Sequence, residues 1–595
     1  MWRQSQGQVP SPCGGSRVPW PALQNGGTEL ESTIPRHHRY AVVAIVCVLA
    51  VFAAACGSKK NTAGGTTAST GASSNITLPD DGTPKSGGNF TMGLEAESDG
   101  FNPTVNRWAI SGTEVGLAIF DPLVAFDANS NPQPYLAQSI TPNADYTVWT
   151  ITVRPDIKFQ DGTPLTGAAI TTMFNAHLAS ALTQPALSPI LKVETTGDLT
   201  SQITMKTPWV TFPYSLTSQL GMVPAPSMFD SSGKPTDAGQ KAPVGTGPFV
   251  FKSWVPDKAF TATKNPSYWR PGLPYLDQIE FQPIPDSDTR SAALQSGDIN
   301  MMHTSDFTQV VKFRQLAKDG KAQIVEDNGE GEEDFLIVNT ADPAVKDVRV
   351  RKAMALALNK EQFNTVINAG IGELADSVFK PTSKWYVKTD YPTYDPAAAK
   401  ALVEQYKQDT GITPTFTLGT TPSPINQQAV QLIQQNFNDA GMNVSVKTTE
   451  QSQFITDGVL GNYQVNLWRQ FGAVDPDADA LWWYSANAGD GSAQGGLTLN
   501  IARNKDPKID AALDAGRQST DEATRKQAYA DLQNQMTADL PYIWINHALW
   551  AVVANNNVRG ITNGPLPDGQ PSLPIGGGGD FGGVVRFTQT WLTGS

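Results

Sequence analysis

Cysteine is scarce in this chain, and its position matters more than its number. The three cysteines, Cys13, Cys47 and Cys56, all fall in the first tenth of the 595 residues. Everything after Cys56 therefore lacks a disulfide, a thiol nucleophile and a thiolate metal ligand. Histidine is scarce too. Beyond His37 and His38 there are only His177, His303 and His547, scattered and without metal-ligand spacing, so they read as structural. No phosphate-binding loop and no G-x-S-x-G nucleophile turn occur. Gly577, Gly579 and Gly582 match G-x-G-x-x-G, but too near the end for the helix and strand that a dinucleotide site needs. The acidic stretch Asp475–Ala480 (DPDADA) lacks the glycine and the twelfth-position glutamate of a calcium loop and is expected to be a solvated acidic loop. Basic residues are outnumbered, 43 against 56, for a net charge of −13, which argues against nucleic acid as a partner. These absences leave no candidate catalytic group, and no enzyme activity, cofactor or metal is expected.

Long apolar runs are also missing, except one. Residues 41–55 are apolar, follow the basic stretch Arg36–Arg39, and end in Ala53, Ala54, Ala55 and Cys56. The run is shorter than the roughly 20 residues a bilayer span requires, and it suits a signal-peptide core. The segment resembles a bacterial lipoprotein signal (36–56), in which Cys56 is lipidated and becomes the mature N-terminus. Ala53 stands where such signals usually carry Leu. An uncleaved anchor is the alternative, and either places the rest of the chain outside the cytoplasm. Residues 57–84 are rich in Gly, Ser and Thr and read as a flexible tether. Residues 1–35 have no periodicity and are read as a mis-assigned or disordered extension, with true starts available at Val18, Leu23 or Leu30.

The remainder alternates strand and helix signals. YTVWTITVRPDIKF predicts a strand ending near Phe159, and Thr166 is placed to cap a helix over GAAITTMFNAHLASAL. DFLIVNT predicts a strand and DVRVRKAMALALNKEQF one helix. PINQQAVQLIQQNFNDAG predicts a helix stopped by Gly441, with MNVSVKTT a strand directly after it. Such alternation implies α/β layers.

Four segments carry a family resemblance: PYLAQSITPNADYTVWTITVRPDIKFQDGTPLTG, PVGTGPFVFKSW, NPSYWRPGLPYLDQIEF with ALQSGDIN, and NTADPAVKDVRVRKAMALALNKEQF. Together and in this order they resemble the dipeptide/oligopeptide-binding proteins of ABC importers, solute-binding family 5, over about 88–561. The resemblance implies an α/β, two-lobed class II periplasmic-binding-protein-like fold. Lobe one would span 85–330 with an extra subdomain at about 125–240, lobe two 331–540, and 541–595 would return to lobe one. It implies capture of a peptide or peptide-like solute in the cleft and delivery to the permease subunits of an ABC importer. The protein is expected to be a monomer, lipid-anchored on the outer face of the cytoplasmic membrane or in the periplasmic space. An envelope lipoprotein of the same fold acting in sensing or as a chaperone is the alternative. So is a non-peptide ligand such as haem, a metal chelate or an oligosaccharide.

Site residues also follow from the resemblance. Peptide binders place an Asp four residues before the Pro of the second-lobe loop. Here that position is Gly472, counted from Pro476, and Asp475 is the residue just before the Pro. The expected amine partner is missing. Trp468, Arg469, Gln470, Phe471, Gly472, Val474 and Asp475 remain as candidates from lobe two, with Arg469 expected to receive an anionic group. Thr113 and Glu114 are the first-lobe candidates, Glu114 as a substitute amine partner, and Phe335 is a third wall. Cys56 is the candidate lipidation site.

Replacing Cys56 with Ala is expected to abolish labelling by a fatty-acid analogue and to release the protein from membranes or leave an uncut precursor; label retained on Cys56→Ala would refute the assignment.

Overall fold

The computed structural model describes residues 82–106, 108–327, 329, 332–489, 498–576 and 582–594. The extension, the signal with Cys56, nearly all of the tether and the glycine match at 577–582 (except Gly582) lie outside them.

Two mixed sheets organise the chain. The first has seven strands in the order Gln323–Asp327, Trp550–Ala554, Met301–Thr304, Asn89–Leu94, Gln278–Pro283, Ala259–Lys264 and Phe249–Val255. The second has six: Glu373–Leu374, Tyr542–His547, Glu333–Val338, Val465–Gln470, Thr415–Thr420 and Asn443–Thr448. The chain crosses from the first to the second between Asp327 and Glu333, and returns between His547 and Trp550. The return expected at 541 therefore falls later, because Tyr542–His547 still pairs with Glu333–Val338 in the second sheet. The two crossings are tied side by side: the Ala548 N–H donates to the Glu332 carbonyl at 2.6 Å.

A third, antiparallel sheet forms a subdomain on the first lobe, in the order Ala137–Pro142, Val148–Val153, Thr200–Met205 and Ile190–Gly197. In Val148–Val153 the buried residues are Trp149, Ile151 and Val153, the two-residue period of a half-buried strand. This strand stops at Val153, earlier than expected. Pro155 has no N–H to donate, and Asp156 sits at φ 62°, which turns the chain. The helix Gly167–Ala179 covers the sheet, and the Thr166 side chain accepts from the Ala169 N–H as its cap.

Other expectations resolve in detail. Pro424–Asp439 is capped by Ser423 and buries Ala429, Val430, Ile433 and Phe437 on one face. Gly441 follows it at φ 93°. The single helix expected over 347–363 is two, Val348–Ala357 and Lys360–Ile367, because Leu358 is extended and Asn359 caps the second helix by accepting from Gln362. Gly245 and Gly247 pass against the backbone of Ile119, where a Cβ would stand 2.2 Å and 2.6 Å from its carbonyl oxygen. Nothing larger fits, and this pair holds the loop before Phe249–Val255 against the helix Ile110–Ile119.

Gly245→Ala is expected to lower stability by about 1–3 kcal/mol, the cost of overpacking a site that cannot relax, measured by urea unfolding; an unchanged midpoint would sink this account.

Candidate functional site

Strand register builds the centre of the site. Val465–Gln470 pairs antiparallel with Glu333–Val338, setting Arg469 opposite Asp334 and Trp468 opposite Phe335. Successive side chains of a strand point to opposite faces. Trp468 turns inward and stacks on Phe454, centroids 5.3 Å apart. Arg469 turns the other way and reaches the first lobe. Its Nη1 donates to Ser305 Oγ at 2.5 Å, its Nη2 lies 3.4 Å from Glu95 Oε1, and its plane covers the Trp550 ring at 4.6 Å. From the crossing segment, Glu332 Oε2 lies 3.5 Å from Arg469 Nε and accepts the Trp550 indole N–H at 2.6 Å. Asp334 accepts from Asn546 at 2.8 Å.

Three carboxylates thus surround one guanidinium at the junction of the lobes. Burial pushes Glu332 up to about 7 against the pull of Arg469, and raises Asp334 as well. Burial also acts on Glu95, but there Arg469, then His303 and Arg290, outweigh it and hold the carboxyl below its usual range. Arg469 is therefore not the free anion receptor expected of it: Glu95 and Glu332 already stand within 3.5 Å of its guanidinium.

The other candidates fall into separate environments. Phe335 is fully buried and stacks on Phe471, centroids 5.0 Å and planes 2° apart, so it belongs to the second-lobe core and forms no cleft wall. Phe471 adopts φ 79°, a left-handed conformation that costs a β-carbon residue about 1–3 kcal/mol. The rings of Phe335, Trp483, Tyr542 and Trp544 enclose it and hold it there. Thr113 and Glu114 are enclosed in the helix Ile110–Ile119; Glu114 Oε2 meets His303 Nδ1 at 2.7 Å. Glu114 is fully buried, with one carboxylate oxygen on His303, so it is not an exposed amine partner. Gln470 accepts from the Trp468 indole at 2.9 Å and stays half-exposed, as does Val474, while Gly472 is buried.

Asp475 is not a solute contact either. It is 2 % exposed and bound through both oxygens, at 2.7 Å each, by Arg525 Nη2. Its neighbours correct the expectation of a solvated acidic loop. Asp477 pairs with Arg517 at 2.7 Å, and Asp479 accepts the Ala473 N–H at 3.1 Å. All three aspartates are buried. The three histidines are buried as well: His303 on Glu114, His547 on Glu333 at 3.1 Å, and His177 beside Thr183.

Glu95, Ser305, Glu332, Asp334 and Trp550 were not singled out from the sequence. The only signal was positional: an acid just past a strand in GLEAES, and an acid run entering one in EEDFLIV.

Two α/β lobes are thus joined by paired crossings, with a polar cluster at their junction. The chain belongs to the bacterial extracellular solute-binding proteins, family 5, whose middle-region model matches residues 131–492. It is 27% identical over 439 residues to a glutathione-binding protein of Pectobacterium atrosepticum, covering 72% of this chain and 83% of that one. It is 26% identical to the nickel-binding periplasmic protein of Escherichia coli K12, covering 75% and 87%. In fold it matches an ABC transporter-associated periplasmic binding protein from Helicobacter pylori, solved in complex with the peptide STSA. That match has TM-score 0.72, 23% identity, and coverage of 86% of this chain and 99% of that one. The two-lobed α/β expectation holds, and membership makes this a solute-binding protein of ABC importers rather than an enzyme.

Glu332 gives a pH test. Its proton is held in the folded state up to about pH 7 but released from an ordinary glutamate near 4.5, so ionising it costs stability as pH rises through that window. Glu332→Gln is expected to flatten the fall in urea-unfolding stability between those pH values; parallel curves for both proteins would refute the assignment.

Proposed function

We propose that this protein is an extracytoplasmic receptor that captures a peptide or peptide-like solute between its lobes and passes it to the permease of an ABC importer. A lipid on Cys56 would hold it at the outer face of the membrane, raising its concentration near the permease. The observation that carries the reading is the set of Glu95, Glu332 and Asp334 around Arg469, at the junction of the lobes. Burial raises Glu332 and Asp334, and a buried carboxylate is stabilised by a cationic partner. A solute with an ammonium group supplies one. A peptide does so, and so does glutathione, for which one relative is named. These acids take over the role that Gly472 leaves unfilled.

Native mass spectrometry of protein purified from its own host is expected to reveal a co-purifying small solute with an amine and amide bonds. A haem or oligosaccharide adduct overturns the peptide reading, as does an adduct-free protein that no member of a peptide library stabilises against heat.

A further inference from the structure

Arg469 is one tie between the lobes; a second has entirely different partners. The subdomain segment 209–211 lies against the second-lobe loop that holds Asp477. The Trp209 indole N–H donates to Asp477 Oδ2 at 2.7 Å, and the Thr211 hydroxyl donates to the same oxygen. The other carboxylate oxygen accepts from Arg517 Nε at 2.7 Å. The Val210 N–H donates to the Arg517 carbonyl at 3.1 Å. The Arg517 guanidinium covers the Trp209 ring at 5.3 Å and the Tyr484 ring at 5.2 Å. Trp209, Thr211, Asp477 and Arg517 are all more than nine-tenths buried.

The division of partners is informative. Asp477 and Arg517 both belong to the second lobe, so their ion pair stays whole if the lobes part. The first lobe contributes only neutral donors to the Asp477 carboxylate, so opening exchanges these charge-assisted hydrogen bonds for bonds to water. No charge is orphaned on opening. Trp209 is fixed from behind, since its carbonyl accepts the Trp149 indole N–H at 3.1 Å and its ring packs on Phe212 in the subdomain core. Asp477 is fixed by Arg517 and by its place between Asp475 and Asp479.

We propose that Asp477 is a positioning residue for solute capture: by receiving Trp209 and Thr211 it forms a reversible polar clasp that biases the lobes toward the closed state. The clasp rests on the capture reading above, and gives the extra subdomain a task, that of a lever by which the first lobe grips the second. It acts without touching the solute, so it sets the closed population and not solute preference.

The test needs no solute. Donor and acceptor dyes are placed through non-canonical amino acids at exposed positions 192 and 400 of the full chain, one on the subdomain and one on the second lobe. Single-molecule energy transfer then reads the open and closed populations. The double variant Trp209→Phe with Thr211→Val keeps both shapes and deletes both donors. It is expected to lower the closed-to-open ratio about tenfold, the scale of one or two lost hydrogen bonds, and Thr211→Val alone should shift it in the same direction by less. A merely structural role would lower the urea midpoint and leave the distances unmoved, so unchanged distance distributions overturn the clasp whatever happens to stability. If the double variant does not fold, Thr211→Val decides alone. A clasp that fails here leaves the peptide reading standing, because that reading is judged by the solute that co-purifies.

Discussion

Arg469 carries a charge that cannot be shed, and it lies where the two lobes meet. A guanidinium stays protonated at any physiological pH, so enclosing it requires acids on every side from which water is removed. Glu332 and Asp334 come from the crossing segment and from its own sheet, while Glu95 and Ser305 come from the opposite lobe. Much else depends on this demand. A slip of one residue between Val465–Gln470 and Glu333–Val338 would bury Arg469 in the aromatic core and turn Trp468 out into the cleft. Glu332 joins the charge to the hinge itself, since its carboxylate holds the Trp550 indole and its carbonyl holds Ala548 on the return crossing.

The loop after this strand solves a different problem. It must leave the sheet abruptly and still present a rigid surface to the other lobe. Phe471 makes the turn in an unfavourable left-handed conformation, and the four rings packed around it hold it there. The three aspartates then hold the loop in separate ways: Asp475 on Arg525, Asp477 on Arg517, Asp479 on the Ala473 N–H. Each buried carboxylate has a partner because an unpaired one would cost several kcal/mol. The loop therefore matches its buried charge within its own lobe, whereas at the hinge Arg469 is shared between Glu332 and Asp334 on one side and Glu95 on the other.

Local signals in the chain were readable wherever the interaction was local. Thr166 caps its helix by a bond to Ala169, three residues on, and Gly441 ends its helix through its own backbone angle. The close passage of Gly245 and Gly247 is likewise announced by residues that can do little else. The Leu358–Asn359 break was hidden because the apolar period continues through it, while Asn359 finds a capping bond that periodicity does not register. The site was hidden for a stronger reason. Arg469 meets Glu95 across 374 positions of sequence, and Trp209 meets Asp477 across 268. An acidic run such as DPDADA looks solvated in one dimension, because the arginines that make its burial possible lie 40 and 50 positions on.

This separation bears on why one fold serves chemically different solutes. Relatives near one quarter identity carry names as unlike as glutathione binding and nickel binding, so the scaffold leaves solute choice to a few side chains. In this chain the loop position that would hold a peptide amine is Gly472, which has no side chain to offer. The acids Glu332, Asp334 and Glu95 stand instead around Arg469, where the chain passes between the two lobes. A cation received there would sit where the two lobes pivot. It would bind both lobes at the shortest lever arm, with Arg469 beside it as a competing charge. Solute charge and lobe closure would then be read by the same carboxylates.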